Sequence, residues 1–532
     1  MSQASDALPS PVAAPTEIYP EPKNFLAKII DGIEAVGNKV PHPAVMFLLL
    51  SGVVIVLSHL FYLLGASVSY EAINPQTHQL EQQTVAVRSL LTAEGIRFLL
   101  TSPIQNFLNF NAIGIILVVM VGVGLAEEAG LIGALIRQIV AVAPGWAITY
   151  ILVFLGILSS IASDAGYLVL IPLGAAAYLS LGRHPLAGLA AAFAAVAAAF
   201  GVNILITPLD GVLTELTNDA IHLLNPAISI DLTANLYFSI VSTLVFTVVI
   251  AVMSDKIIEP GLGPYKGDKP LEQSEGVSAQ ESKGLRAALI ATLGTAAVIA
   301  LLTLPPGAPL RNPETGAIVG NSPFMDSLII LIMLLFLAAG AAYGRAAGTI
   351  TSLGGAIKAV EKTFAGLGGL VFLFLVISQF LAHFNYTNMA TLAAVSLGDA
   401  LERANIGAIP LLVGFVVVTC VIDVILTGAI PKWAIFAPIF VPLFMRLGIG
   451  PEAVLAAYRV GDSPFNAVTP LMGYFGLILV FTQRYKPDAG VGTVVAMMLP
   501  YSLVIFLVWT LLLAIWVGVG IPLGPGVPAL AR

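Results

Sequence analysis

Nine stretches of this chain are apolar over close to the length needed to cross a bilayer, and they leave few architectures open. They run over about 44–65, 111–136, 186–206, 236–253, 287–304, 324–343, 366–384, 408–428 and 494–520. A spanning helix takes roughly 20 predominantly apolar residues. Two more apolar segments, about 145–180 and 430–448, are too short or too interrupted to cross simply. The count is therefore eight to ten spans plus two irregular segments in one polytopic, all-α domain. Composition gives the same answer: 10% of the 532 residues are charged, against about 25% in soluble domains. So few charges cannot cover a water-facing surface, and a bilayer supplies the apolar solvent instead.

Residues 1–23 are rich in Pro, Ala, Ser and acid and lack a basic start and an apolar core. They are expected to be a retained, disordered cytoplasmic tail and not a signal peptide. Lys23, Lys28 and Lys39 precede the first span, and Lys256, Lys266, Lys269, Lys283 and Arg286 cluster in the polar segment 254–286. The loop from about 66 to 110 has only Arg88 and Arg97. Cationic loops stay cytoplasmic, which puts the N-terminus and 254–286 inside and 66–110 outside. The single cysteine, Cys420, lies in an apolar run and gives no disulfide framework.

The segment 254–286 also divides the chain into halves, 24–253 and 287–532, that carry a repeat. Tyr167, Pro172 and Pro185 correspond to Trp433, Pro438 and Pro451, each 266 positions on. Beyond each set comes an Asn followed by Thr-Pro: Asn203 with Thr207-Pro208, then Asn466 with Thr469-Pro470. The repeated unit predicts a re-entrant hairpin, at about 145–183 and about 430–448, followed by an unwound point where Pro blocks helix continuation. Broken backbone at membrane depth persists only where protein buries it or it lines a wet cavity. Such segments at matching places in two halves point to a transporter's binding site.

Charges in these surroundings cost about 2.5–3.5 kcal/mol each on insertion scales, so they mark candidate sites. The first half offers Asp164 and Asp210; the second offers Asp423, Lys432, Arg459 and Asp462. The charges do not follow the repeat, since Asp164 stands opposite Ile430. Arg459 and Asp462 fall at i, i+3, where they can pair. Alternatively Arg459 presents its planar fork to a substrate carboxylate. Asp462, Ser463 and Asn466 then offer oxygens to a sodium ion, with Asp164 and Asp423 as further ion ligands. Asp210 and Asn203 form the matching site in the first half, and Trp433 offers a ring to an aromatic solute. Carboxylates serve a proton as well as sodium, and either ion fits the sequence.

Other chemistries lack their signals. There is no phosphate-binding GxxxxGK[ST] loop, no HExxH, no GxSxG, and the six histidines have no metal spacing. No enzyme, no organic cofactor and no nucleic-acid partner is expected.

The run Val40-Pro41-His42-Pro43, the Ser163–Tyr167 element, Asn203 with Thr207-Pro208, and above all Tyr458-Arg459-Val460-Gly461-Asp462-Ser463 with Asn466 and Thr469-Pro470 resemble the p-aminobenzoyl-glutamate transporter (AbgT) family. The resemblance covers about 24–520. It implies a homodimer in a bacterial inner membrane, with an inverted-repeat core of nine spans and two hairpins. It also implies ion-driven carriage of p-aminobenzoyl-glutamate, with sulfonamide antimetabolite efflux in some members. The family's pathway residues would fall on Asp210, Trp433, Pro451, Arg459, Asp462 and Pro470. Ile430 departs from members with a hydroxyl residue there, and Asp423 from a related member with another polar side chain. A sodium-coupled dicarboxylate carrier and an ion channel remain as alternatives.

Overall fold

The computed structural model describes residues 43–73, 80–162, 166–265, 277–318, 322–403, 407–424 and 426–526. The tail 1–23, its basic neighbours up to Lys39, and Asp164 lie outside the described residues.

Among the described residues, eight helices are long and apolar enough to cross a membrane: Pro43–Leu63, Asn111–Glu128, Leu236–Leu262, Ala279–Thr303, Leu328–Ala347, Gly368–Tyr386, Ala429–Arg446 and Val491–Val519. Shorter apolar helices fill the centre. Their faces turn inward where Ala and Gly allow close approach: every residue from Pro185 to Ala198 is buried, and so is all of Pro451–Asp462 except Glu452. The outer helices behave oppositely. Ala279–Thr303 buries only Gly284, Ala288 and Thr303, as a helix solvated by lipid should.

The two halves repeat one order of elements. In the first, Ile148–Leu158 runs through a 3-10 turn at Ser159–Ala162, and Gly166–Leu170 leads into Ile171–Ser180. The arms fold back on each other, since the Thr149 and Tyr178 hydroxyls meet at 2.7 Å. In the second half, Ala408–Asp423 and Ala429–Arg446 form the corresponding pair. Phe415 of one arm contacts the rings of Phe436, Phe440 and Phe444 of the other.

This corrects the expected hairpin at 430–448. Ala429–Arg446 is one continuous helix despite Pro438 and Pro442, and the chain reverses earlier, between Asp423 and Ala429. Gly428, at φ 97°, takes a backbone conformation that side-chain-bearing residues resist. A proline interrupts only its own helical bond when neighbours bury the freed carbonyl, whereas a positive φ ends the helix.

Two other expectations are revised. The polar segment 254–286 is helical at both ends, because the preceding helix continues through a π-helical turn at Ser254–Ile258 to Leu262 and the next begins at Ala279. The fold is also not purely helical: Ser67–Ile73 and Leu80–Ala86 pair as an antiparallel two-stranded sheet.

The halves interlock. Pro208–Ile221 of the first lies against Ala429–Arg446 of the second, and reciprocally Tyr474 stacks on Tyr167 at 4.5 Å. The two broken points face each other: the π-helical turn Ala194–Ala198 packs against the 3-10 turn Pro464–Ala467.

Candidate transport site

Each broken point is stapled by its own polar side chains, which explains how irregular backbone survives in this interior. After Ala198 the chain unwinds, and the Asn203 amide donates to Ile157 O at 3.2 Å and Ser160 Oγ at 2.9 Å. Its backbone N–H and C=O both bond Ser239 Oγ, at 2.8 and 2.7 Å. Helix structure resumes at Pro208 with a reciprocal cap: Thr207 Oγ1 accepts from Asp210 N, and Asp210 Oδ2 accepts from Thr207 N at 2.7 Å. In the second half the Thr469 hydroxyl donates to Val424 O at 2.8 Å, tying the break before Pro470 to the hairpin turn.

Pro451 starts the second of the buried central helices, where its missing N–H costs nothing. That helix holds Tyr458, Arg459 and Asp462. Arg459 and Asp462 do not pair with each other. Arg459 crosses to the first half and meets Asp210 Oδ1 at 2.6 Å, with Gly201 O at 3.3 Å. Asp210 thus fixes the helix start with one carboxylate oxygen and the guanidinium with the other.

Asp462 turns to the hairpin. Its Oδ1 lies 2.9 Å from Lys432 Nζ and accepts from the Tyr458 hydroxyl at 3.0 Å. Lys432 also bonds Asp423, so one ammonium bridges two carboxylates, one at the end of the hairpin's first arm and one at the end of the central helix. All three side chains are essentially without solvent exposure. Asp423 Oδ2 has no hydrogen-bond partner.

Arg459, Asp210 and Asn203 share a crevice with Asp231, Asn235 and Ser239. Its free volume is about 10 Å³, the space of about one water. Two atoms near it are buried without a partner: Arg459 Nε, a donor, and Asn235 Oδ1, an acceptor. Such atoms are uncommon enough to need a reason.

The other expected residues take different places. Trp433 is fully buried and outside this crevice; its N–H bonds Thr217 Oγ1 at 3.0 Å and its ring lies 4.5 Å from that of Tyr458. Ser463 is buried with an unpartnered hydroxyl facing Gly201. Asn466 is partly exposed on the 3-10 turn. Asp462 Oδ1 lies against Lys432 and Tyr458, while Asn466 follows one turn later beyond the helix end. The bridging role of Lys432 and the part of Tyr458 escape a sequence reading. Their one signal is a Lys just past a glycine break that follows a buried Asp.

A membrane-embedded helical core, with two interrupted crossings meeting around buried opposite charges, defines a solute transporter. The chain belongs to the AbgT transporter family, whose pattern matches residues 28–530. It is 35% identical over 500 residues to the p-aminobenzoyl-glutamate transport protein of Escherichia coli (strain K12), covering 94% of this chain and 96% of that protein. Its fold is similar to that of the Alcanivorax borkumensis YdaH transporter, with a TM-score of 0.85 and 39% identity over 91% of this chain and 100% of the other. It is likewise similar to Neisseria gonorrhoeae MtrF, which illuminates a class of antimetabolite efflux pumps, with a TM-score of 0.87 and 38% identity over 94% and 100%.

Proposed function

We propose that the protein is a secondary active transporter of p-aminobenzoyl-glutamate and related aromatic amide anions, antimetabolites of similar shape included, powered by an ion gradient across a bacterial inner membrane. The observation that carries this reading is the Arg459 guanidinium. It is pinned by Asp210 on one nitrogen and keeps Nε buried and unpartnered beside a polar crevice. A substrate carboxylate is the group that a planar, permanently charged donor of this kind recognises. Asn235 Oδ1 supports it as an acceptor for an amide N–H.

Because the crevice has room for about one water, substrate entry requires the central elements to shift. The interlocked hairpins and broken helices would move against the outer helices and expose the site to each side in turn. A homodimer with its N-termini in the cytoplasm completes the proposal, the outer helices serving as the fixed frame.

Flux of labelled p-aminobenzoyl-glutamate into proteoliposomes, under an imposed pH or sodium gradient, tests the reading. Accumulation that succinate does not compete away and that Arg459→Ala abolishes supports it. Accumulation of succinate or citrate instead would assign the site to dicarboxylates. A current that persists without solute would make the protein a channel.

A further inference from the structure

We infer that Lys432 is a built-in cation occupying the coupling-ion position between Asp423 and Asp462, so that this site takes a proton and excludes sodium. The inference rests on the reading of the chain as an ion-coupled carrier and names the ion and the residue that selects it.

The position is one where a mobile cation would be expected. Asp423 ends the first arm of the second hairpin, the chain breaks through Gly428, and Asp462 ends the central helix just before its own break. Two carboxylates thus converge at two helix C-terminal ends, where backbone carbonyls concentrate partial negative charge. Lys432, in the first turn of the second arm, places Nζ 2.9 Å from Asp462 and in bonding contact with Asp423. A sodium ion at this point would need those same oxygens. A tethered ammonium at full effective concentration holds them already.

The charge balance then selects the proton. Two carboxylates and one ammonium leave a net charge of −1, and all three groups are sealed from solvent. An uncompensated buried charge costs several kcal/mol after relaxation. The Tyr458 hydroxyl is shared between Ala429 O at 2.5 Å and Asp462 Oδ1 at 3.0 Å, but Asp423 Oδ2 receives no hydrogen bond at all. One proton on the Asp423 carboxylate cancels the surplus. The step is a plain acid–base transfer: a hydronium gives its proton to Asp423, leaving water and a neutral carboxyl, and the reverse occurs when the site opens to the other side. A purely structural ion pair would have balanced charge and no spare oxygen; this cluster has neither property.

The deciding experiment uses the purified full-length protein and needs no substrate. Its melting temperature is followed as sodium chloride replaces choline chloride at constant ionic strength. Wild type is expected to show no sodium-specific shift. Lys432→Met, which opens the place between the carboxylates, is expected to gain a saturable sodium-specific rise, and Lys432→Met with Asp423→Asn is expected to lose it. A saturable sodium-specific rise in wild type that Asp423→Asn abolishes overturns the inference. So does a folded Lys432→Met that stays indifferent to sodium.

Should Lys432→Met fail to fold, Asp423→Asn decides alone, since it keeps Lys432 and removes the surplus charge. It is expected to fold and, in proteoliposomes, to carry solute only down its own gradient under an imposed pH gradient. Retained pH-driven accumulation would overturn the inference. If the sodium pattern holds while no p-aminobenzoyl-glutamate moves under any gradient, the substrate assignment fails and the ion site stands.

Discussion

Arg459 and Asp210 come from opposite halves of the chain and meet at 2.6 Å, each on a helix that borders a backbone break. The contact welds the two breaks at the point where a solute would bind. Asp210 cannot be removed cleanly, because its second oxygen caps its own helix through the Thr207 N–H. Arg459→Ala should cost about 3–5 kcal/mol, the usual penalty for stranding one member of a buried pair, and should abolish transport. Arg459→Lys keeps the charge but loses the fork. It is expected to retain most of the melting temperature while raising KM for solute well over tenfold. Equal KM values for Arg459→Lys and wild type would show that the guanidinium serves only the weld.

Gly201 and Ser463 report how tightly the two breaks meet. A Cβ on Gly201 would come 2.6 Å from Ser463 Oγ and 3.2 Å from the Trp509 ring. Gly201→Ala therefore overpacks the seam, at an expected cost of about 1–3 kcal/mol. Ser463→Gly should be mild alone and should recover more than half of the Gly201→Ala loss, leaving the residue due to Trp509. Thermal melts of the four proteins measure the coupling, and strictly additive effects would mean that the breaks are not in contact.

Outside the membrane-spanning core, Glu281 gives a pH-dependent helix start. Its carboxylate accepts from the Ser278 N–H in a capping box and pairs with Arg137. The backbone bond from Ser278 is the largest influence, and together with Arg137 it outweighs the opposing effect of burial and holds the pKa below the ordinary value of 4.5. A depressed pKa in the folded state means the contribution is present above the unfolded value and is lost as pH falls through the folded one. Amide exchange in the first turn of Ala279–Thr303 should therefore accelerate as pH drops below 4.5 in wild type, after correction for intrinsic rates. Glu281→Gln should be fast at all pH values. Identical profiles would sink the assignment.

The helical class was legible because apolar length is a direct physical requirement of the bilayer, and the halves were legible because 266-residue spacing ties Tyr167 to Trp433 and Pro185 to Pro451. The cap at Asp210 could also have been read from Thr207-Pro208-Leu209-Asp210. Charge partners could not. Arg459 and Asp462 sit three residues apart and invite a local pair, yet each side chain is claimed by a different half of the structure. Prolines misled about the second hairpin, since Pro438 and Pro442 sit within a helix while Gly428 does the turning. The antiparallel pair Ser67–Ile73 and Leu80–Ala86 was hidden because each strand is only seven residues long within a loop that the apolar spans leave as a connection.

Arg183 shows what anchors the first hairpin at its open end. Its guanidinium lies 3.8 Å from the Tyr178 ring centroid, donates to Thr149 Oγ1 at 3.0 Å and bonds both Asp255 and Glu259. Asp255 and Glu259 stand four residues apart, on one side of that helix at its π-helical turn Ser254–Ile258, and both face the arginine. Burial opposes the charge on Arg183, but its bonds to Glu259 and Asp255 outweigh this and hold its pKa above the ordinary value. Both hairpin arms are therefore fastened to the end of Leu236–Leu262, and the hairpin has to move with that helix. Arg183→Gln should lose about 2–3 kcal/mol, the worth of hydrogen bonds to charged groups less what the amide replaces. Hydrogen exchange should rise over 148–180 and stay unchanged over 408–446. Because Arg183 is remote from the Arg459 crevice, solute KM should hold within about twofold, the scatter expected of uncoupled sites. Exchange that rises equally in both hairpins would mean that the fastening is global and that the first hairpin does not travel as a unit with Leu236–Leu262.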